Sequence, residues 1–235
     1  MDFFERLSGV FFNPRKTFEG LADKPTWPGM LIVVLVILVT YTLVVSPYTR
    51  HDQLQMMKES VKLKERVGEE RYNQQLRSLE GPVTTAQIVQ TAVFTPLWFV
   101  VAALLQALIL LMMGRFVTSQ GTFKQVFSAL VHASLINVLL GNALRLGLIF
   151  VRKSTLQTST SLTVLFPRME VMSTASIILS QVDVFQLWMF GILAFGLSAA
   201  FKVDLKKSLF ISYSVWVLKA LANIAISLVG MSFIR

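Results

Sequence analysis

The sequence predicts an all-α polytopic membrane protein, a bundle of five transmembrane helices. Of its 235 residues 54% are hydrophobic and only 15% are charged, whereas a soluble domain carries about 25% charged residues. The charges cluster between long apolar runs, and about 20 apolar residues, rising about 1.5 Å each, cross a hydrocarbon core of roughly 30 Å. The predicted spans are residues 28–46, 91–113, 123–150, 184–201 and 209–231.

The composition and the motif content exclude several functional classes. The net charge of +9, from 22 Lys and Arg against 13 Asp and Glu, indicates basic loops that meet anionic head groups rather than a nucleic-acid surface. The chain has no cysteine and therefore no disulfide and no thiolate metal site. Hydrolase, nucleotide-binding and metal-ligand motifs are missing, so we predict no enzymatic activity, no metal and no cofactor.

Residues 1–27 form a predicted amphipathic segment ahead of the first span. Phe3 and Val10 follow helical spacing. Asn13 and Pro14 then favour the start of a second short helix, because Asn caps helices and Pro lacks an N–H that would go unpaired there. Two aromatic-rich amphipathic helices beside a span are typical of the head-group layer. A docking arm for a cytosolic partner is the alternative interpretation.

The first span is predicted to end at Pro47, and residues 48–90 are the one long hydrophilic stretch. We predict an extracytoplasmic helical hairpin that carries two short apolar stripes. Solvated helices are one interpretation of it, and an interface for a partner is the other, because connections between spans need only a few residues. The candidate interface residues are Leu54, Met57, Val61, Tyr72 and Leu76.

Polar residues recur in the second and third spans. Pro96 is predicted to lie in the first turns of the second span, where a missing N–H costs little, and Gln106 lies at mid-membrane depth. In the third span Asn137 shares a helical face with Arg145, and Asn142 lies on a neighbouring face, an arrangement that lets helices hydrogen-bond across the bundle. Arg145 differs from the amides, because a guanidinium in the apolar layer costs several kcal/mol unless it is paired.

Residues 152–180 are too polar to span, and we interpret them as an interfacial or a re-entrant segment. Asp183 then stands ahead of the fourth span, which a short basic turn at residues 202–207 joins to the fifth span as an antiparallel hairpin. Lys219 lies near mid-depth of the fifth span with no obvious acid partner. The sequence leaves three partners of Lys219 open: backbone carbonyls, Asp183, and a substrate or lipid.

The distribution of basic residues predicts the orientation in the membrane. In the N-terminal segment and the loops other than the long stretch 48–90, nine basic residues fall on the N-terminal side of the five spans and three on the other. The long stretch is left out because long loops cross the membrane largely regardless of their charge, and the positive-inside rule therefore predicts a cytoplasmic N-terminus. The hairpin of residues 48–90 and the C-terminus are then extracytoplasmic. The nine are Arg6, Arg15, Lys16, Lys24, Arg115, Lys124, Lys202, Lys206 and Lys207, and the three are Arg152, Lys153 and Arg168.

This topology brings two opposite charges to the same depth. The third span runs outward with Arg145 near its outer end, and the fourth enters from the outside with Asp183 at its start. A pair between Arg145 and Asp183 would relieve the burial cost of both groups, but the sequence leaves open whether the two side chains touch. A structural pin is one interpretation of the pair, and a gate or substrate contact is the other.

Three segments of the chain recur, in this order, in a known family. They are residues 10–21 (VFFNPRKTFEGL), 159–165 (STSLTVL) and 182–188 (VDVFQLW), the last followed by a glycine-containing run at 191–196 and by Trp216. Together they resemble the Yip domain family, named for Ypt-interacting proteins, and its bacterial branch in particular. The resemblance covers most of the chain except residues 48–90. It implies five spans, a cytosolic N-terminus and no enzymatic activity, and it supplies no ligand residues.

Two functions follow from the residues and the resemblance. The first is a bacterial accessory or assembly subunit of an ABC-type export complex, active in efflux or toxin resistance. It would lie in the plasma membrane, with the exporter permease and an extracytoplasmic adaptor as partners. The second is a self-contained transporter of a small molecule or lipid that uses Arg145 and Lys219. A vesicle-trafficking factor fits less well, because the short cytosolic N-terminal segment leaves little room for a GTPase.

Overall fold

A computed structural model describes residues 1–59, 68–156, 158, 160–166, 168–170 and 173–232. Within these ranges, five helices are long and apolar enough to cross a membrane, which confirms the predicted fold class. In the part of the chain that is described, the regular structure is helical apart from one antiparallel bridge between Ser161 and Asp183.

The helices are numbered here in chain order. The first four are α1 (Phe3–Phe12), α2 (Pro14–Asp23), α3 (Pro28–Glu59) and α4 (Glu69–Glu80). They are followed by α5 (Thr85–Arg115), α6 (Phe123–Ala133), a π-helical turn (Ile136–Gly141) and α7 (Asn142–Arg152). A 3₁₀ turn (Leu162–Leu165) and α8 (Thr174–Ser180) precede α9 (Val184–Phe201) and α10 (Leu205–Ser232). The third span is therefore α6, the π-helical turn and α7 together.

Helix α9 lies at the centre of the bundle and contacts α2, α6, the π-helical turn and α10. Its side chains Phe190 and Leu193 are fully buried. Gly196 lets neighbouring helices come close, because a Cβ at this position would lie 2.5 Å from the Cβ of Ala129. Ser212 of α10 donates a buried hydrogen bond of 2.6 Å to the carbonyl of Phe190, so the predicted hairpin of the last two spans is confirmed.

The N-terminal helices α1 and α2 pack onto this core. Phe18 and Leu21 of α2 are at most 2% exposed, and α2 contacts both α9 and α6. Gln125 of α6 donates to the carbonyl of Ala22 at 2.8 Å. The segment is thus helical as predicted, and its inner face belongs to the bundle. Its position in the head-group layer stays a prediction.

The roles of Pro47 and Asn13 in the structure differ from those that the sequence predicts. Pro47 does not end the first helix, because α3 continues to Glu59. Proline removes one helical hydrogen bond, but contacts of Arg50 and Asp52 with other segments hold the continuation in place. Asn13 precedes α2 but makes no capping bond with its side chain, since its backbone (φ −146°, ψ 62°) lacks the extended conformation that a capping residue needs.

Helix α5 begins before the predicted span. Thr84 and Gln87 form a reciprocal capping box, in which each side chain accepts from the other residue's backbone N–H, and this box starts the helix at Thr85. Pro96 therefore lies well inside α5 and not in its first turns, so that part of the prediction is wrong.

Candidate functional site

The main polar cluster of the bundle is built around Arg145 of α7. Its Nη2 donates to Asp183 Oδ2 at 2.9 Å and to Asn137 Oδ1 at 3.0 Å. Its Nη1 donates to Asn142 Oδ1 at 2.9 Å, and its Nε donates to Thr160 Oγ1 at 3.1 Å. The Arg145 side chain is 18% exposed and that of Asp183 is 6% exposed. Arg145 and Asp183 thus form an ion pair, a contact that the sequence left open, and the candidate residues Asn137 and Asn142 belong to the same cluster.

Asp183 is hydrogen-bonded through both of its carboxylate oxygens. Oδ2 accepts from Arg145 and from the Thr160 hydroxyl, and Oδ1 accepts from the backbone N–H of Gln186 at 3.0 Å, which caps α9. The residue precedes α9 and lies outside the spanning helix. Burial alone would raise the pKa of Asp183, but the hydrogen bonds from Thr160 and Gln186 and the charge of Arg145 outweigh burial and hold the pKa below its ordinary value.

The π-helical turn brings the two asparagines to the same guanidinium. In an α-helix each residue turns by about 100°, so residues five apart point about 140° away from each other. A π-helical turn is wider, and Asn137 and Asn142 therefore both reach Arg145. A Cβ at Gly141 would lie 3.0 Å from Asn137 Oδ1 and 3.1 Å from Arg145 Nη1. Sequence reasoning missed this turn, because a π-helical turn has no periodic signal of its own.

A short extended pairing holds the segment after α7 against the start of α9. The N–H of Leu162 donates to the Val182 carbonyl at 3.0 Å, and the N–H of Val184 donates to the Thr160 carbonyl at 3.3 Å. Thr160 was not among the predicted site residues, because it lies in a Thr- and Ser-rich stretch without a distinctive pattern. Two of the segments that resemble the Yip family, 159–165 and 182–188, thus meet at the ion pair.

Lys219 and Gln106, the remaining predicted polar candidates, lie outside this cluster. Lys219 Nζ donates to Gln186 Oε1 at 3.1 Å, and Asn223 Nδ2 donates to Gln181 Oε1 at 3.1 Å. These two bonds tie α10 to the beginning of α9. The Nε2 atom of Gln106 is buried and has no hydrogen-bond partner within the described ranges.

Arg145 also borders an open pocket of ≈ 400 Å³ between α3 and α7. Tyr41 and Thr49 of α3 line one side, and Thr155 and Thr158 from the segment after α7 line another.

The hydrophilic hairpin is tied at its base by Arg50. The Nη2 atom donates to the carbonyls of Ser78 at 2.8 Å, Leu79 at 3.2 Å and Gly81 at 2.8 Å. The Nη1 atom donates to Gln87 Oε1 at 3.1 Å. Sequence reasoning missed Arg50, because a single arginine in a polar stretch carries no pattern.

Asp52 fastens the same part of α3 to the segment after α7. Its side chain is almost fully buried, although the residue lies in the hydrophilic part of the sequence. Its Oδ2 accepts from the backbone N–H of Thr155 at 2.5 Å and from the Thr155 hydroxyl at 2.6 Å. Thr155 thus contacts the base of the hairpin, and Thr160, from the same segment after α7, contacts Arg145.

The two apolar stripes of the hairpin lie between its helices. Helices α3 and α4 pack against each other, and Met57 is 6% exposed. Leu54, Tyr72 and Leu76 are half-buried, and the Tyr72 hydroxyl donates to the Met57 carbonyl at 3.2 Å. Val61 lies outside the described residues. A partner-binding role for these five residues stays a prediction.

Over the described ranges, no group of three or more His, Asp or Glu side chains is placed to hold a metal ion. The family comparison is positive: a protein-family model described as Yip1 domain matches residues 8–227. No curated protein and no solved structure matches the chain.

Proposed function

The chain belongs to the Yip1 domain family, and from that premise we propose that it is a non-catalytic accessory subunit of a membrane export complex. The complex is of the ABC type and serves efflux or toxin resistance. Its permease and an extracytoplasmic adaptor are the partners of the chain, in the plasma membrane of a bacterium. The braced hairpin between α3 and α5 is the arm that binds them.

The observation that carries this proposal is the bracing of the base of the hairpin by contacts between its described residues. Helix α3 continues for a dozen residues past Pro47, roughly 18 Å at the helical rise. Arg50 fixes the returning chain through four hydrogen bonds, and Lys58 and Glu80 pair across the hairpin at 2.7 Å. A preorganised arm supports protein binding, because little conformational entropy is lost when it docks.

The outer surface of the arm has the chemistry of a polar interface. On α4, Glu70, Arg71, Gln74 and Gln75 are exposed. Charges of both signs and amides suit the rim of a protein interface and do not suit hydrocarbon. In this proposal the apolar stripes keep the two helices together, and the polar face meets the adaptor.

The polar cluster supports a structural role in the membrane domain. Arg145 donates to four side chains of its own chain, and Asp183 accepts through both oxygens. A substrate would have to displace these bonds, which are costly to lose in a low-dielectric site. The proposal therefore assigns the ion pair the role of a pin that joins α7 to α9.

The test is co-purification from the native membrane with a shortened hairpin. Replacing residues 55–77 by a short Gly-Ser linker keeps Arg50, Asp52 and the carbonyls of Ser78 and Gly81. Stoichiometric permease and adaptor should accompany the wild-type chain and be lost from the shortened one, while both remain inserted. Equal recovery of partners with both chains would contradict the role of the arm, and recovery of the wild type alone would contradict the complex.

The orientation can be tested in the same membranes, because the chain lacks cysteine. A single cysteine at Gln74 should react with an impermeant maleimide added from outside. A cysteine at Lys206 should react only after the membrane is opened. The reverse pattern would put the arm in the cytosol and exclude an extracytoplasmic adaptor.

The ≈ 400 Å³ pocket beside Arg145 favours a second candidate, a self-contained transporter of a small molecule or lipid. It predicts substrate flux in liposomes that hold this protein alone. Arg145→Ala should abolish that flux, and Lys219→Ala should reduce it. An absence of flux for a panel of candidate substrates, together with an intact exporter complex, would leave the accessory subunit as the function.

A further inference from the structure

A second pocket lies between α2 and the turn that joins α9 to α10. Its volume is ≈ 460 Å³, within the range of about 300–1,000 Å³ of small-molecule sites. It is at the opposite end of the bundle from the Arg145 cluster, because α9 begins beside Asp183 and ends at Phe201, next to this pocket. The residues that line it belong neither to the Arg145 cluster nor to the hairpin.

Charged side chains of both signs form the rim of this pocket. Arg15 pairs with Glu19 at 3.1 Å, and the rim residue Asp204 pairs with Lys207 at 3.5 Å. Lys202 also lines the pocket, but it takes part in none of the ion pairs formed between described residues. The rim itself has two cations and two acids, but the neighbouring Lys207 pairs with Asp204, so Lys202 is the rim cation without an acid partner among the described residues.

The turn that carries Lys202 is preformed. Lys202 has a left-handed backbone (φ 53°) and caps α9, with its N–H donating to the Ser198 carbonyl. The Ser198 hydroxyl donates to the Val203 carbonyl at 2.7 Å. These bonds fix the backbone from which the lysine side chain extends, so binding at the pocket needs no ordering of the backbone there.

The wall of the pocket is apolar and lies at the end of two spanning helices. Phe195 and Ala199 of α9 line it, together with Val203 of the following turn and Leu205 at the start of α10. Helix ends in a membrane protein lie where head groups meet acyl chains. A ligand that suits both the rim and the wall has an anionic head and an apolar tail.

We propose that this pocket binds the phosphate head group of a glycerophospholipid. Lys202 pairs with the phosphodiester, Arg15 offers a second donor at the rim, and an acyl chain lies along Phe195 and Leu205. A free phosphate compound shares the anionic chemistry but cannot use the apolar wall. The proposal therefore commits to a lipid as the occupant.

The experiment measures lipid retention on the intact chain by native mass spectrometry. The chain in mild detergent is titrated with dioleoylphosphatidylglycerol, and with dioleoylglycerol, which has the same acyl chains without the phosphate. We expect a saturable adduct of the phospholipid only. Lys202→Asn, which suits the left-handed backbone, should weaken its retention about fivefold, the effect of removing one basic residue near a membrane surface.

Lys153→Asn is the matched control. Lys153 is the other lysine with a left-handed backbone (φ 57°) in the described ranges, and it caps α7 at the opposite end of the bundle. Lys153→Asn should leave phospholipid retention unchanged. Equal effects of the two substitutions, or no effect of either, would overturn the proposal.

A substitution that fills the pocket distinguishes lipid binding in the pocket from general electrostatic attraction of the lipid to a basic surface. Ala199→Phe adds volume to the half-exposed wall and changes no charge, so it should also reduce retention. Loss of binding in Lys202→Asn with full binding in a folded Ala199→Phe would refute the pocket as the site. Displacement of the lipid by millimolar inorganic phosphate would refute the lipid and assign the site to a free anion.

Discussion

Asp183→Asn isolates the charge of the Arg145–Asp183 pair from the other roles of Asp183. The amide has the same shape as the carboxylate, and Asn is as good a helix N-cap as Asp, so the bond from the Gln186 N–H is kept. The substitution removes the negative charge that faces Arg145 at 2.9 Å. At pH 7 this charge is present in the wild type, because the pKa of Asp183 is held below its ordinary value.

The expected loss of folding free energy follows from the number of hydrogen-bond acceptors that Arg145 loses and keeps. Removing one partner of a buried ion pair destabilises a protein by about 3–5 kcal/mol. Arg145 keeps three of its four acceptors, Asn137, Asn142 and Thr160, so we expect the lower end, about 3 kcal/mol. In a chain of this length that corresponds to a fall in Tm of about 6–12 °C.

The assay is thermal unfolding in a single detergent, followed by tryptophan fluorescence. Asp204→Asn is the matched control, because Asp204 also accepts from a backbone N–H at the start of a helix, that of Lys207 at 2.8 Å, and also forms an ion pair, in this case with Lys207. Its side chain is 55% exposed, and exposed pairs contribute little. A Tm change in Asp183→Asn no larger than in Asp204→Asn would refute the argument that the ion pair is a buried pin.

Two further predictions concern the hairpin and the core. Arg50→Ala should speed amide deuterium exchange in residues 78–81 about tenfold, because hydrogen bonds to a charged group are worth about 1.5–3 kcal/mol each. Arg71→Ala, on the exposed face of α4, should not, and equal exchange in both would argue against the brace. Gly196→Ala should cost about 1–3 kcal/mol through overpacking, because its Cβ would lie 2.5 Å from that of Ala129, whereas Gly147 has nothing within 4 Å of a Cβ and should tolerate alanine. Similar Tm values for the two alanine variants would contradict the close packing of α9.

The charged residues of the candidate site could be predicted from the sequence, because their charge and their depth in the membrane can both be read from it. Arg145 and Asp183 stand out because ionisable residues are rare in apolar spans, and the alternation of span directions brings their ends together. Asn137 and Asn142 stand out as amides on the third span. Thr160 had no such signal, because it reaches the cluster only through the extended pairing of its segment with the start of α9.

For the hairpin, the sequence predicts which residues are buried but not which residues cover them. Two apolar stripes in a hydrophilic segment predict two buried faces, but they do not say what covers them. In the structure α3 and α4 cover each other. Arg50 and Asp52 hold this unit to the rest of the chain through backbone carbonyls and through Thr155. Because every residue has a backbone, the residue types in a sequence do not indicate which backbone groups a side chain will contact.

Hydropathy by itself determined that this chain is a five-helix membrane protein. That property is local, because the free energy of placing an apolar stretch in hydrocarbon depends on the residues of the stretch alone. Only the tertiary structure decided that Pro47 lies within a continuous helix, that a π-helical turn aligns Asn137 and Asn142 on Arg145, and that Lys219 bonds to Gln186. Those outcomes depend on groups far apart in the chain, whose hydrogen bonds become available to one another only after the helices have packed.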